Sequence, residues 1–447
     1  MKLIYKLSLL KKNGDFKNVF YSVLSYCITP LVLIVSTPVL LKNLGDENYG
    51  IWILINSVIN LLGISNFGLG NALIKIGSEY EPTDENNDVF NELLNVSLTL
   101  SVIVAILLNI IILLFGMYLF PVVFGSSGME TILPLTYFLG GVVGLRIING
   151  IISGSYMARQ RYDINSKVNI VYNLVMSITF TILTMIYKDI HVLVLYLFLS
   201  SIFLIILNAI IAKKVTPSIE YKFLLKRTTV FRIINYGIYS WFQSIVSSLN
   251  AQADKLIVSA LLGPKALGYY TVCMQLVIKI HEIPAAAGGF LLAKFSGLYE
   301  RNDMQKIRGL YAKALKITAL FIIISSIFTF IFAYQILSLW ITTEFANQHT
   351  ALFRLLVVSI SLGAFGVIPY YFLNGTGHVR INTVLSLITS LSTTGILFLF
   401  IPYFGDIGTG MARFVGIPLV LFSLCYVHFM IIKQKQQIEG FKKELNY

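Results

Sequence analysis

Charged side chains embedded in apolar sequence are the residues of this chain best placed to do chemistry, because a charge at the centre of a bilayer costs at least about 2.5 to 3.5 kcal/mol. Few occur. Arg146 lies midway along one apolar stretch, Asp254 and Lys255 share another, and Lys279, His281 and Glu282 share a third, while Arg413 stands in the last. Arg146, Lys255 and Lys279 outnumber Asp254 and Glu282, a balance that suits an anionic ligand over a cationic one. A structural role competes at each position. Lys279 and Glu282 are i,i+3 neighbours that can neutralise one another on one helix face. Adjacent helical residues point about 100° apart, so Asp254 and Lys255 cannot both face one point. Histidine titrates near neutrality, which makes His281 a candidate for proton coupling, although a lone helical histidine also serves as hydrogen-bonded filler. Arg413, near the outer end of its stretch, is expected to snorkel to the headgroups.

These residues sit in helices of membrane-spanning length. A hydrocarbon core about 30 Å thick needs about 20 apolar residues in a helix. Twelve such segments occur, approximately 19–41, 51–74, 94–119, 132–157, 168–187, 190–212, 234–262, 268–292, 317–340, 352–373, 381–404 and 408–432. Composition agrees: the chain is 56% hydrophobic and 12% charged, with mean hydropathy +0.79. The loops hold too few residues to bury a core of their own. The fold class expected is therefore an all-α polytopic membrane protein, because only helices satisfy their backbone groups within a lipid-exposed segment.

The formal charge of +13 follows the loops of one face. Only Lys42, Lys188, Lys265 and Arg354 fall on the other face, so the positive-inside rule places both termini in the cytoplasm and makes the number of spans even. Charge so distributed sets orientation and meets anionic lipid headgroups rather than nucleic acid. No cleavable signal is expected, because the first apolar stretch is a full span without a small-residue cleavage site. The three cysteines, Cys27, Cys273 and Cys425, all lie in apolar segments and form neither a disulfide framework nor a metal-ligand spacing.

Residues 44–52, Leu-Gly-Asp-Glu-Asn-Tyr-Gly-Ile-Trp, recur in pattern as residues 262–270, Leu-Gly-Pro-Lys-Ala-Leu-Gly-Tyr-Tyr. Lys75, Tyr80 and Glu81 are answered by Lys294, Tyr299 and Glu300, and Ile164-Asn165-Ser166 by Ile381-Asn382-Thr383. Ordered matches at a nearly constant offset indicate an internal repeat. The chain divides into a six-span lobe over 1–212, a basic amphipathic cytoplasmic linker over 213–232 and a second six-span lobe over 233–447. Six is even, so the repeat is parallel, an architecture that places a cavity between two lobes. Within the eighth span Pro284 removes a donor and Gly288 and Gly289 add flexibility, a candidate gate hinge; close small-residue packing explains the glycines equally well. The linker alternates Phe223, Leu224 and Leu225 with Lys222, Lys226 and Arg227 and is expected on the inner leaflet. The acidic stretch 79–92 is expected to be a solvated connector.

Asn43-Leu44-Gly45, Tyr49-Gly50-Ile51-Trp52, Asn66-Phe67-Gly68-Leu69-Gly70 and residues 262–270 together resemble the polysaccharide flippases of the Wzx type, within the MOP (MATE-like) exporter superfamily. The resemblance covers essentially the whole chain. It implies a MATE-like fold, no cofactor, and translocation of undecaprenyl-diphosphate-linked oligosaccharide across the bacterial inner membrane for O-antigen, capsule or exopolysaccharide synthesis. Polymerase and chain-length proteins of the same pathway are implied partners. Under it, Arg146, Lys255 and Lys279 are the substrate-binding candidates, and Asp254, His281 and Glu282 the coupling or ion-pair candidates. Two other classes compete. An ion-coupled multidrug exporter would carry an acidic residue in its first lobe, yet no Asp or Glu occurs within the first six spans. A membrane-embedded enzyme would need a large outer loop or a catalytic acid cluster, and the outer loops are short and nearly uncharged.

Overall fold

The computed structural model describes residues 14–80, 84–124, 135–286, 288–301 and 303–444. Lys2, Lys6, Lys11 and Lys12 of the basic N-terminus, and Glu81 of the repeat, lie outside the described residues. Every element among the described residues is helical, as a chain solvated by lipid requires. Nine described segments are long and apolar enough to cross a membrane. The expected first and second spans are not among them, and the described segment Ala251–Val277 takes in the end of the expected seventh and the start of the eighth; the second is broken near residues 63–68 and the eighth is interrupted at Ile278.

The chain forms two compact units, Met1–Gly268 and Tyr269–Tyr447. In the first, α1 (Gly14–Leu62) carries the first expected span and the start of the second, with one non-helical residue, Gly45, at φ 77° and ψ 167°. α7 (Arg227–Val277) begins in the first unit and runs into the second, with its own non-helical residue, Gly263, at φ 84° and ψ 170°. Those backbone values are accessible essentially to glycine alone. The repeat is thus written in dihedral angles as well as in letters. The two kinked segments also pack reciprocally. A Cβ on Gly50 would stand 1.7 Å from the carbonyl oxygen of Pro264, and one on Gly268 would stand 3.4 Å from that of Asp46. Lys265 and Asp46 add an ion pair at 3.5 Å.

The second span breaks where the resemblance placed its glycines. A 3-10 turn (Gly63–Asn66) is followed by Phe67 and Gly68 in left-handed conformation. Asn66 Oδ1 accepts from the Gly68 N–H at 2.9 Å before α2 (Leu69–Gly77) resumes. α3 (Asp84–Phe124), α4 (Thr136–Ala158), α5 (Tyr162–Tyr187) and α6 (Ile190–Val215) complete the unit. Leu69, Leu73, Phe90, Leu94, Ile151 and Tyr156 form its core at one end. Large apolar side chains such as Leu114 and Ile186 stay exposed because the surrounding solvent is lipid.

Residues 216–226 adopt no helix. After a turn in which Ile219 N–H donates to Thr216 O at 3.1 Å, they run along α3, held by side chains at four-residue spacing. Asn91 donates to the Ser218 carbonyl at 2.7 Å, and Asn95 donates to Glu220 O at 2.9 Å while accepting from Lys222 N–H at 2.8 Å. Thr99 accepts from Leu224 N–H at 3.0 Å. Four helical residues rise about 6 Å and two extended residues about 6.6 Å, so the two rows stay in register. The acidic stretch is correspondingly more than a solvated connector: Glu92 binds Lys226 at 2.7 Å, and Glu79 binds Arg232 at 3.3 Å. Asn95→Ala is expected to lower stability by about 1–3 kcal/mol, because it leaves one carbonyl and one N–H unpartnered. An unchanged melting temperature in detergent would show the ladder to be dispensable.

The second unit comprises the end of α7, α8 (Lys279–Ala286), α9 (Gly288–Glu300), α10 (Met304–Ile331), α11 (Ala333–Trp340), α12 (Thr343–Ala364), α13 (Val367–Gly375), α14 (Val379–Phe404), α15 (Asp406–Ala412) and α16 (Ile417–Glu444). Phe372 centres its core, edge-on to Phe295 and Tyr311 at 5.3 and 5.2 Å. Asn382, on α14, reaches back to Asn374 at 3.1 Å, much as its repeat counterpart Asn165 reaches back to Tyr156 at 3.3 Å.

Candidate functional site

α4 is apolar apart from a polar stripe, and Arg146 stands on it. Its side chain is exposed at the surface of the first unit, and Nη1 donates to Asn60 Oδ1 on α1 at 3.2 Å. Asn60 thereby engages one of the five guanidinium N–H groups. Among the described residues no carboxylate forms an ion pair with Arg146. A cation partnered by a neutral amide keeps its charge and its planar fork for a bidentate oxyanion.

One helical turn further on, at i+3 and on the same face, Asn149 begins a chain of neutral polar groups. Asn208 of α6 donates to Asn149 Oδ1 at 2.8 Å, and the buried hydroxyl of Tyr156 lies 2.9 Å from Asn208 Oδ1. With Asn165 this network ties α4, α5 and α6 together inside the first unit. Polar pairs between membrane helices hold such segments in one register. The stretch of α4 that carries Arg146 is therefore held in place by this network.

The other candidates lie apart from this arrangement. Lys255 Nζ donates to Gln252 Oε1 at 3.3 Å, and its backbone N–H donates to Asp254 Oδ1 at 2.8 Å, so that acid folds onto its own helix. In the second unit Lys279 and Glu282 form the i,i+3 ion pair, and His281 between them is half-buried. Pro284 is buried inside α8; Ala287, three residues on, lies outside the described residues. A Cβ on Gly288 would fall 1.8 Å from the ring of Tyr371, whose hydroxyl donates to Ala285 O at 3.0 Å. Gly289 follows it at the start of α9. Arg413, expected to snorkel, has a partner within the second unit. It donates to the hydroxyl of the buried Tyr270, with its guanidinium 5.9 Å from that ring.

Sequence reasoning missed Asn60, Asn149 and Asn208, since neutral amides do not interrupt an apolar run as a charge does. It also missed His349, buried between the rings of Tyr269 and Phe345 at 4.3 and 4.6 Å and 3.7 Å from Asp406. The spacing of Phe345 and His349, one turn apart, was the available signal.

Residues 16–289 match the polysaccharide biosynthesis protein family. The chain is 19% identical over 415 residues to a putative O-antigen transporter of Shigella flexneri, covering 90% of this chain and 95% of that one. It is 24% identical over 203 residues to the amylovoran biosynthesis protein AmsL of Erwinia amylovora, covering 42% of this chain and 51% of that one. Its fold is that of a MATE family multidrug resistance transporter of the MOP superfamily solved in an inward-facing conformation, with TM-score 0.73, 15% identity and coverage of 91% and 96%. The lipid II flippase MurJ in its inward closed conformation matches with TM-score 0.71, 15% identity and coverage of 91% and 87%. The resemblance first carried by the Leu-Gly and Tyr-Gly motifs is borne out: a multi-pass membrane protein that shares the fold of these two solved structures, the chain belongs to the polysaccharide biosynthesis protein family.

Proposed function

We propose that this protein flips undecaprenyl-diphosphate-linked oligosaccharide across the cytoplasmic membrane, supplying surface polysaccharide synthesis by alternating access of two six-span lobes. Family membership and the two curated relatives support the polysaccharide pathway. The observation that carries the substrate class is Arg146, a cation on a spanning helix whose partner is the neutral Asn60. A diphosphate gains from that uncompensated charge, and a cationic drug is repelled by it. Lys255 and Lys279 are secondary contacts in this reading, and the Lys279–Glu282 pair with His281 is where ion coupling would act. Pro284, Gly288 and Gly289 serve as the hinge, with the Tyr371 ring over Gly288 setting its resting position.

Removing the protein from its host is expected to abolish surface glycan while lipid-linked oligosaccharide accumulates on the cytoplasmic side. Normal glycan display without it would refute the proposal. Orientation has its own test, motivated by the one-sided basic loops. A single cysteine replacing Ser218 should react with an impermeant thiol reagent only from the cytoplasmic side, and one replacing Lys265 only from outside. The opposite pattern would invert the topology.

A further inference from the structure

The extended segment on α3 has two faces, and only one is accounted for by the ladder and its ion pairs. Ladder bonds come from the backbone of Ser218, Glu220, Lys222 and Leu224. In an extended chain the intervening residues point their side chains to the opposite face. That row begins buried at Ile219, 1% exposed, and emerges through Tyr221 at 40% to Phe223 at 82% and Leu225 at 60%. Three consecutive members of one row therefore leave the protein as large apolar groups.

Their surroundings say what covers them. Tyr221 lies against α6, donating its hydroxyl to Ala209 O at 3.4 Å, six residues before that helix ends at Val215. Ile206 and Ile210, near Ala209 in sequence, are exposed on a helix that is apolar enough to span a bilayer. On the other side Leu224 is fastened to Thr99, near the start of the long apolar run of α3. The row is thus continuous with the lipid-facing band and rises to its edge. Lys213, Lys214, Lys222, Lys226 and Arg227 surround it, against Glu92 and Glu220, so the local charge is net positive. The backbone edge facing away from α3 limits its depth. Unpaired N–H and C=O groups are costly in hydrocarbon, which keeps the chain at headgroup level and lets only the side chains dip.

From this we infer that residues 221–225 form a lipid-binding strap, in which Tyr221, Phe223 and Leu225 insert into an anionic leaflet and the flanking lysines and arginine contact its headgroups. Juxtamembrane basic residues each contribute about 1 kcal/mol of attraction to such a leaflet. The strap fastens the linker to the first unit and to the membrane at once, so it is a fixed element of that unit rather than a slack tether. This inference stands whether or not the substrate assignment is right.

The test uses the full-length protein in nanodiscs containing one-quarter phosphatidylglycerol in phosphatidylcholine. Cys27, Cys273 and Cys425 are replaced by serine or alanine, and a nitroxide is attached to single cysteines at Lys222→Cys, Phe223→Cys, Leu224→Cys or Leu225→Cys. Collision rates with oxygen, which enriches in acyl chains, and with a water-soluble nickel chelate are compared. Positions 223 and 225 should show an oxygen-to-nickel ratio at least about fivefold above 222 and 224, and the contrast should shrink in pure phosphatidylcholine. Equal nickel access at all four positions would mean that the row is solvated and overturn the strap. An undiminished contrast in pure phosphatidylcholine would remove the anionic preference and contradict the inference.

Discussion

Arg146→Ala is expected to cut glycan export sharply while the protein still inserts and folds. The side chain is exposed and its guanidinium is held by the neutral Asn60, so its removal leaves no buried charge unpaired. A charge-assisted contact contributes about 1.5–3 kcal/mol, which corresponds to roughly a tenfold to 150-fold loss of transport from this residue alone. Arg146→Lys keeps the charge and loses the fork, so an intermediate rate is predicted. Lys279 in the second unit behaves differently. Lys279→Ala should be harmful partly because Glu282 is left without its partner, and Lys279→Ala with Glu282→Ala should recover part of that loss. Export measured by surface glycan labelling decides between the roles: a double variant as inactive as Lys279→Ala alone would assign Lys279 to the substrate rather than to the ion pair.

The second large effect is expected at Gly50. Its missing side chain is the space that the Pro264 carbonyl occupies, 1.7 Å from where a Cβ would stand, and a backbone atom cannot step aside as a flexible side chain does. Gly50→Leu should therefore separate the two kinked segments of the repeat, destabilising the arrangement by about 1–3 kcal/mol or more. Leu267 is fully buried in the native protein, so the thiol of Leu267→Cys should become reactive only in the Gly50→Leu background, where export should also fail. Gly45→Ala offers the contrast, because a Cβ there meets nothing within 4 Å. Its cost is conformational only, about 1–3 kcal/mol for a non-glycine residue in that backbone region. An unreactive thiol at position 267 together with normal export in Gly50→Leu would show that the segments tolerate the intrusion and that their close approach is not required.

The contrast between these two glycines shows where sequence was informative. Gly45 and Gly263 were legible as a pair because the repeat aligns them, and their nearly identical dihedrals explain why both positions are glycine. The apolar spans were legible because lipid solvation demands length and hydropathy and little else. Breaks in the second and eighth spans lay near marked residues, yet their geometry was not readable: Phe67 adopts a left-handed backbone that its own type does not announce. Long-range pairs were invisible for a different reason. Asn91 and Ser218 are 127 residues apart, and nothing local in either stretch indicates that one is the other's hydrogen-bond partner. The partner of Arg413 was hidden in the same way, since Tyr270 lies 143 residues away in sequence. Asn60 became visible as part of the site only once α1 and α4 were seen side by side.

Reconstitution tests the central claim most directly. Purified protein in liposomes is supplied with undecaprenyl-diphosphate-linked oligosaccharide on the outer leaflet, and an impermeant glycan-cleaving enzyme reports how much remains accessible. The native protein should make the glycan inaccessible at a rate well above that of protein-free liposomes, and Arg146→Ala should reduce that rate to near the protein-free level. Glycan that stays fully accessible with the native protein, or that is protected equally fast by Arg146→Ala, would contradict an Arg146-dependent flippase.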